Sequence, residues 1–357
     1  MGAMAIRIAT FNANNLFSRW SFQTELPRTV DQKKLTTLKA TNGAAETVAD
    51  HAATTDEPAS APDVVEVTLP DGTELSGVLR TFRGKLVRGK DPKARDWIAR
   101  RIRALDADVL CLQEVEDQNA LDVFHRDALV PLGIRYPFRM VVEGNDPRRI
   151  DVAICSKLPI TRVSSWRFWP DPTGDAVFGR DLLQAEITAP DGKPLRVFVN
   201  HLKSNFIADE FRLTPAQVEK ERGEIAERRT LQAKAIRTIL RRQRLETRIV
   251  LTGDMNDAPD APTLSPLADL GLTEQISGGT TMAGPNRKGV LVDDAFGNLS
   301  DHMWTNRHRA KGQVSFNLYD QIWTSPDLTV AAAHVMRRTL IGGDGSDHDP
   351  ACVDVEL

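Results

Sequence analysis

Arg248-Ile249-Val250-Leu251-Thr252-Gly253-Asp254-Met255-Asn256-Asp257 is the stretch on which the reading of this chain turns. Ile249 to Leu251 is a short, β-branched apolar run of the kind that forms a buried strand. The run stops at Gly253, and an acid and an amide follow on alternate positions, Asp254 and Asn256. In extended backbone, residues two apart point the same way. A buried strand therefore ends by aiming a carboxylate and a carboxamide into one space. Taken alone, Gly, Asp and Asn also make an ordinary turn. The pattern gains weight because other strand-like runs in the chain end in the same way.

Working outward, Ala5 to Phe11 alternates around Ile6 and Ile8 and runs into Asn12-Ala13-Asn14-Asn15. Val109 to Leu112 ends in Gln113-Glu114, and Leu195 to Val199 ends in Asn200-His201-Leu202-Lys203-Ser204. Further strands are expected over Asp151 to Cys155, Leu182 to Ile187, Asn317 to Trp323 (carrying Asp320) and Ala351 to Val355. The last is preceded by a Gly-rich turn and Ser346-Asp347-His348-Asp349-Pro350. Asp91-Pro92 supplies an N-cap and an N1 proline for a helix with Trp97, Ile98, Arg101, Ile102 and Leu105 on one stripe. Thr214 to Gln217 has the form of a capping box. It opens a long helix with Ile225, Leu231, Ile236 and Ile239 inward, and Arg228, Arg229, Arg237, Arg241 and Arg242 on a solvated face. The chain reads as a single catalytic domain over residues 1–357, interrupted by an insertion at about 20–91. Lys39 to Asp63 is poor in large apolar residues and reads as a flexible loop. Pro70-Asp71-Gly72-Thr73, between Val64–Leu69 and Leu75–Leu79, reads as a β-hairpin.

Composition narrows the classes. At 357 residues the chain can bury a large core. A net charge of −3 gives no global basic field, which disfavours a non-specific nucleic-acid coat protein. No apolar run reaches 18 residues, so no membrane span is expected. Three cysteines, Cys111, Cys155 and Cys352, lie inside apolar runs and argue against a disulfide framework. Together with a first strand beginning by Ile6, which leaves no room for a signal peptide, they give a cytoplasmic expectation.

The polar residues gathered at strand ends are Asn12, Glu114, His201, Asp254, Asn256, Asp320, Asp347 and His348. Four converging carboxylates raise one another's pKa unless a cation neutralises them. An oxygen-rich set without thiolate suits Mg²⁺ or Mn²⁺ better than Zn²⁺. A hard cation with histidine for proton transfer is the equipment of phosphate-ester hydrolysis.

Leu112-Gln113-Glu114-Val115, Asn200-His201-Leu202-Lys203-Ser204, Gly253-Asp254-Met255-Asn256-Asp257, Tyr319-Asp320 and Ser346-Asp347-His348-Asp349-Pro350 occur in the order seen in the endonuclease/exonuclease/phosphatase (EEP) superfamily. The chain resembles that superfamily from Ile6 onward, the insertion excepted, and most resembles its bacterial nuclease-like members. The resemblance implies an α/β fold, a four-layer sandwich of two packed mixed β-sheets flanked by helices. It implies Glu114 as principal metal ligand, with Asn12 close by and Asp347 completing or supporting the metal site. Asp254 would orient or deprotonate the attacking water, and Asn256 would hold the scissile phosphate. His348, oriented by Asp320, would bind phosphate or act as acid–base, and His201 would stabilise the transition state or protonate the leaving group. Leu318-Tyr319-Asp320-Gln321-Ile322 departs from the family's usual flanking pattern, which weakens the expected Asp320–His348 pairing. Lys203, Arg149 and Arg180, with Arg148, are the basic residues expected near the phosphate. Trp166, Phe168 and Trp169 are candidates for base stacking, or for capping a core. The function expected is a Mg²⁺- or Mn²⁺-dependent phosphodiesterase acting on nucleic acid. The alternative is a phosphatase or phosphodiesterase for a small phosphoester such as an inositol phosphate, phospholipid headgroup or nucleotide. A non-catalytic binding module on the same fold ranks third, because each residue with a chemical role is still present.

Overall fold

The computed structural model describes residues 5–17, 21–24, 64–68, 74–78, 84–87, 89–207, 210–242, 248–286, 288, 290–292, 300, 302–310, 313–338 and 345–357. The chain divides into two compact units, residues 19–89 and the remainder. In the smaller unit Ser21–Thr24 pairs with Gly84–Val87, and Val64–Thr68 pairs with Glu74–Val78, the hairpin expected there. The stretch 39–63, expected to be a loop, lies outside the described residues.

The larger unit is built on two mixed sheets. One has the strand order Thr280–Met282, Thr329–Met336, Ala351–Glu356, Ala5–Leu16, Val109–Val115, Asp151–Ser156, Phe138–Val142. The other runs Thr273–Glu274, Asp320–Thr324, Ile249–Asp254, Pro194–His201, Leu183–Thr188, Ile160–Ser165. Period-two alternation sorts the apolar side chains into layers. Ile6, Ile8, Val109 and Cys111 from the first sheet meet Leu183, Ala185, Val197, Val199 and Val250 from the second in the central core. Their neighbours Ala9, Phe11, Leu110 and Leu112 face the other way, onto Ile98, Ile102 and Leu105 of helix α1 (Pro92–Leu105) and Leu121 and Phe124 of α2 (Gln118–Phe124). Phe198 and Leu251 likewise cover Ala233, Ile236 and Ile239 of α3 (Pro215–Arg242). The result is the four-layer α/β sandwich that the motifs imply. Runs apolar at every position are thus explained, since both faces of each central strand are covered.

Helix α1 starts as its sequence dictates, with the Asp91 side chain accepting from the Lys93 and Ala94 amides ahead of Pro92. Helix α3 corrects one expectation. Arg229 is buried on the inward stripe, whereas Leu231 is only half-buried. The Arg229 guanidinium ion-pairs with Asp257, and its Nε donates to the Lys203 carbonyl at 3.0 Å. A charge pattern read as a solvated face therefore hides one arginine that helps pin the loop after His201. All three cysteines are buried and free. Among the described residues no helix is long and apolar enough to cross a membrane.

Candidate active site

In the second sheet the last residues of two parallel strands, His201 and Asp254, line up with Asp320, the first residue of an antiparallel neighbour. His201 stands opposite Asp254 in a parallel pair, and Asp254 opposite Asp320 in an antiparallel one. Gly253 is what allows this row. Its φ is +139°, and a Cβ there would sit 2.0 Å from the Asn200 carbonyl oxygen. Any other residue would push apart the two strands that carry His201 and Asp254. Two carboxylates directly opposite one another repel, and the cation that relieves them comes from the other sheet. His348, in the turn before Ala351–Glu356, places Nδ1 2.6 Å from Asp320 Oδ2 and Nε2 3.8 Å from Asp254 Oδ2. The Asp320–His348 pairing is therefore formed despite the unusual flanking residues.

These four groups lie at 6% exposure or less, and burial splits their charges. Burial opposes the charged form of His348, but the facing Asp320 and Asp254 outweigh it and raise its pKa to about 10. Burial raises Asp254 to about 6, against the pull of His348 and with the push of Asp320. His201, 3.7 Å from Asp254 Oδ2 at its Nε2, is held well below its ordinary pKa by burial and by Arg180 and His348. The floor thus carries one imidazolium and one neutral imidazole.

The first sheet supplies the mouth. A β-bulge between Gln113 and Val115 breaks the pairing with Asp151–Ser156 and leaves Glu114 at φ 62°. Such backbone in a non-glycine residue is uncommon and concentrates at functional sites. It takes Glu114 out of the strand's alternation and leaves it half-buried, with Oε2 accepting the Asn15 amide at 2.9 Å. Asn14 and Asn15 are also left-handed, and Asn14 Nδ2 donates to Asp347 Oδ1 at 2.6 Å. Asn12 joins mouth to floor: its Nδ2 donates to Asp254 Oδ2 at 2.9 Å and to Glu114 Oε1 at 3.4 Å. Lys90, missed in the sequence, donates from Nζ to the Asn14 carbonyl. Burial pushes its pKa down to about 8 against the pull of Glu114 and Asp347.

Two groups of donors deserve comparison as a cation site. Asp254, Asp320 and His348 bring one ligand atom each within 4.8 Å of one another, and Asp320 Oδ1 is buried without a hydrogen-bond partner. However, the imidazole there already faces a carboxylate at each ring nitrogen, Asp320 at 2.6 Å and Asp254 at 3.8 Å. The mouth offers Glu114 and Asp347 with amide oxygens nearby, no thiolate and open access to water. That donor set fits a hard divalent ion better.

Of the expected phosphate-binding residues, Arg180 is buried, 3.4 Å from Asp146 at Nε, and burial lowers its pKa. Lys203 is half-buried, with its pKa lowered by burial and by Arg180 and Arg148. Arg148, paired with Asp146 at 2.8 Å, belongs to the same cationic patch, and the negative field of Glu114 reaches both arginines. Arg149 is exposed, like Arg148, and its backbone is left-handed. Asn256, at φ 54°, spends one amide hydrogen on the Leu202 carbonyl at 3.1 Å, while its backbone amide binds Asp254 Oδ1 at 2.9 Å. Trp166 and Trp169 meet edge to face and pack against the outer core of the second sheet, and of the three aromatics only Phe168 is exposed.

Residues 86–348 match the model of the Endonuclease/Exonuclease/phosphatase family. The chain belongs to that family. No curated protein matches the sequence. Solved structures do. An endonuclease/exonuclease/phosphatase family protein from Leptotrichia buccalis is 16% identical with a TM-score of 0.50, over 74% of this chain and 93% of that one. Beta toxin from Staphylococcus aureus is 17% identical with a TM-score of 0.46, over 73% and 91%. TDP2 from C. elegans is 16% identical with a TM-score of 0.47, over 74% and 69%. Members of the family are generally hydrolases that act on phosphoesters with a divalent metal, so this EEP protein is a metal-dependent phosphoesterase at that level of description.

Proposed function

We propose that this EEP protein is a Mg²⁺- or Mn²⁺-dependent phosphodiesterase that cleaves nucleic acid. The observation that carries this is Asn12, whose one amide nitrogen bonds both Asp254 of the floor and Glu114 of the mouth. It ties a proton-transfer group and a cation ligand into one pocket, as ester hydrolysis requires. When bound, the divalent ion at Glu114 and Asp347 supplies Lewis-acid polarisation of a phosphoryl oxygen and a lowered pKa for water. Asp254, ionised near neutrality, accepts the proton of the attacking water. His348, held protonated by Asp320, binds a non-bridging phosphate oxygen through Nε2. Neutral His201 donates a hydrogen bond to an oxygen of the pentacovalent centre, as does the second amide hydrogen of Asn256, and the leaving oxygen takes its proton from solvent. Arg180, Arg148 and Lys203 hold the flanking phosphate charge.

The test is a turnover panel with plasmid, single-stranded DNA, RNA, a chromogenic phosphodiester and a phosphomonoester, each with Mg²⁺, Mn²⁺ and excess chelator. Metal-dependent cleavage of a polynucleotide is expected. Turnover confined to monoesters or small headgroup esters would replace nucleic acid by a small phosphoester. Full activity after exhaustive metal removal would overturn the mechanism.

A further inference from the structure

Asp349 is fully buried, and three buried arginines face it. Arg101 Nη2 approaches its carboxylate at 2.6 Å, Arg338 Nε at 3.0 Å and Arg337 Nη1 at 3.5 Å. None of the four takes part in the chemistry above. Buried ion clusters are a poor source of stability, because apolar residues of similar volume often do as well or better. What this one fixes is geometry. Arg338 Nη2 donates to the Asp347 carbonyl at 2.6 Å, and Arg101 Nη1 to the His348 carbonyl at 3.1 Å. The Asp349 amide donates to the Thr305 carbonyl at 2.6 Å. Thr305 Oγ1 in turn accepts the Asp320 amide at 2.9 Å and the Tyr319 amide at 3.1 Å. One continuous network therefore grips His348 by its carbonyl and Asp320 by its amide, 28 residues apart in the chain.

We propose that the Asp349–arginine cluster and Thr305 are positioning residues that hold the His348 ring against Asp320 and so aim its Nε2 at the phosphate. This rests on the reading of His348 and Asp320 as machinery for phosphoester hydrolysis. Neither Thr305 nor Asp349 is given a contact with substrate. Both act through the backbone that carries the dyad, and a shift of about 1 Å in such a group costs on the order of 10²-fold in rate.

Thr305→Val keeps the shape and removes the acceptor, Thr305→Ser keeps the oxygen, and Arg338→Met loosens the Asp347 carbonyl. With a chromogenic phosphodiester at saturating Mn²⁺, Thr305→Val and Arg338→Met should lower kcat by about tenfold or more with KM nearly unchanged. Thr305→Ser should restore most of kcat. Calorimetric Mn²⁺ affinity should stay at the parent value in Thr305→Val and Thr305→Ser. In NMR spectra of the metal-free protein, the strongly downfield proton of the His348–Asp320 hydrogen bond should shift or broaden in Thr305→Val and return in Thr305→Ser. A Thr305→Val enzyme with parental kcat, or one slowed with that resonance unmoved, overturns the proposal. If Arg338→Met fails to fold, the Thr305 pair still decides. If the parent hydrolyses no phosphoester, the functional reading falls, while the resonance in the Thr305 pair continues to test the positioning by itself.

Discussion

The mouth and the floor of the site hold similar residue types and put them to opposite uses. At the mouth Glu114, Asn14, Lys90 and Asp347 are half-buried or exposed, and their partners are amides and a carbonyl. On the floor Asp254, Asp320, His201 and His348 are almost wholly out of water. There a carboxylate is pushed up and an imidazole is driven either strongly up or strongly down. On the proposed mechanism, the mouth's carboxylates, open to water, serve as ligands. The exclusion of water from the floor makes proton affinity the variable that the protein sets. The difference is one of graded burial, and on the proposed mechanism it lets one cluster of acids serve both metal and proton chemistry.

The sharpest way to break that division is to remove a floor group. Asp254→Asn or His348→Ala should lower kcat by roughly 10²–10⁴-fold, with calorimetric Mn²⁺ affinity changed little. If metal affinity collapses together with the rate, the ion belongs with Asp254, Asp320 and His348, and the two regions are one.

Glu114→Gln should do the reverse. Mn²⁺ affinity should drop by more than the roughly 10–100-fold typical of losing an outer-shell partner, and raised metal should recover part of the rate. Unchanged metal binding in this variant would move the ion elsewhere.

Lys90→Met removes a cation that faces Glu114 and Asp347. Divalent binding should tighten by roughly five- to tenfold, the scale of about 1 kcal/mol for one like-charge contact screened by water. Weaker binding would instead make Lys90 a support of the ligand geometry.

The smallest effect uses an imidazole remote from the site as a control on burial alone. His125 Nε2 accepts the Tyr136 amide at 3.0 Å, and burial, with Arg139, lowers its pKa below 6.5. The unfolded chain then binds the extra proton more readily. Its contribution to stability is complete above pH 6.5 and is lost as pH falls through the lowered folded value. Urea midpoints measured from pH 7.5 down to 5 should fall less steeply in His125→Gln than in the parent. Parallel curves would show that His125 is not the group responsible.

The layered fold was legible because its signal is local. Apolar runs such as Ile249 to Leu251 name strands covered on both faces, and Asp254 and His201 follow from where those runs stop, whereas Asp320, read as lying within a strand, opens one. What stayed hidden depends on partners far away in the chain. Arg229 looks like one more exposed arginine until Asp257 meets it, and Arg101 like a stripe residue until Asp349 does. The bulge that reorients Glu114 leaves no mark in Gln113-Glu114-Val115. Lys90 stands at the end of the insertion, where nothing in composition ties it to Asn14. Arg148 and Arg149 are equivalent in sequence, and only the Asp146 pairing separates them.

The contacts that assemble the site also set when it can exist. Asn12 and Asp254 are 242 residues apart, and Asn14 and Asp347 are 333 apart. A polypeptide emerging from the ribosome has most of its strands synthesised before the last residues of this pocket exist. Glu114 can be in place while His348 is still unmade, and the network around Asp349 closes only when the strand beginning at Ala351 pairs with the one beginning at Ala5. On the proposed function, hydrolysis therefore waits for the last part of the chain, because the floor of the site is incomplete until His348 has been added.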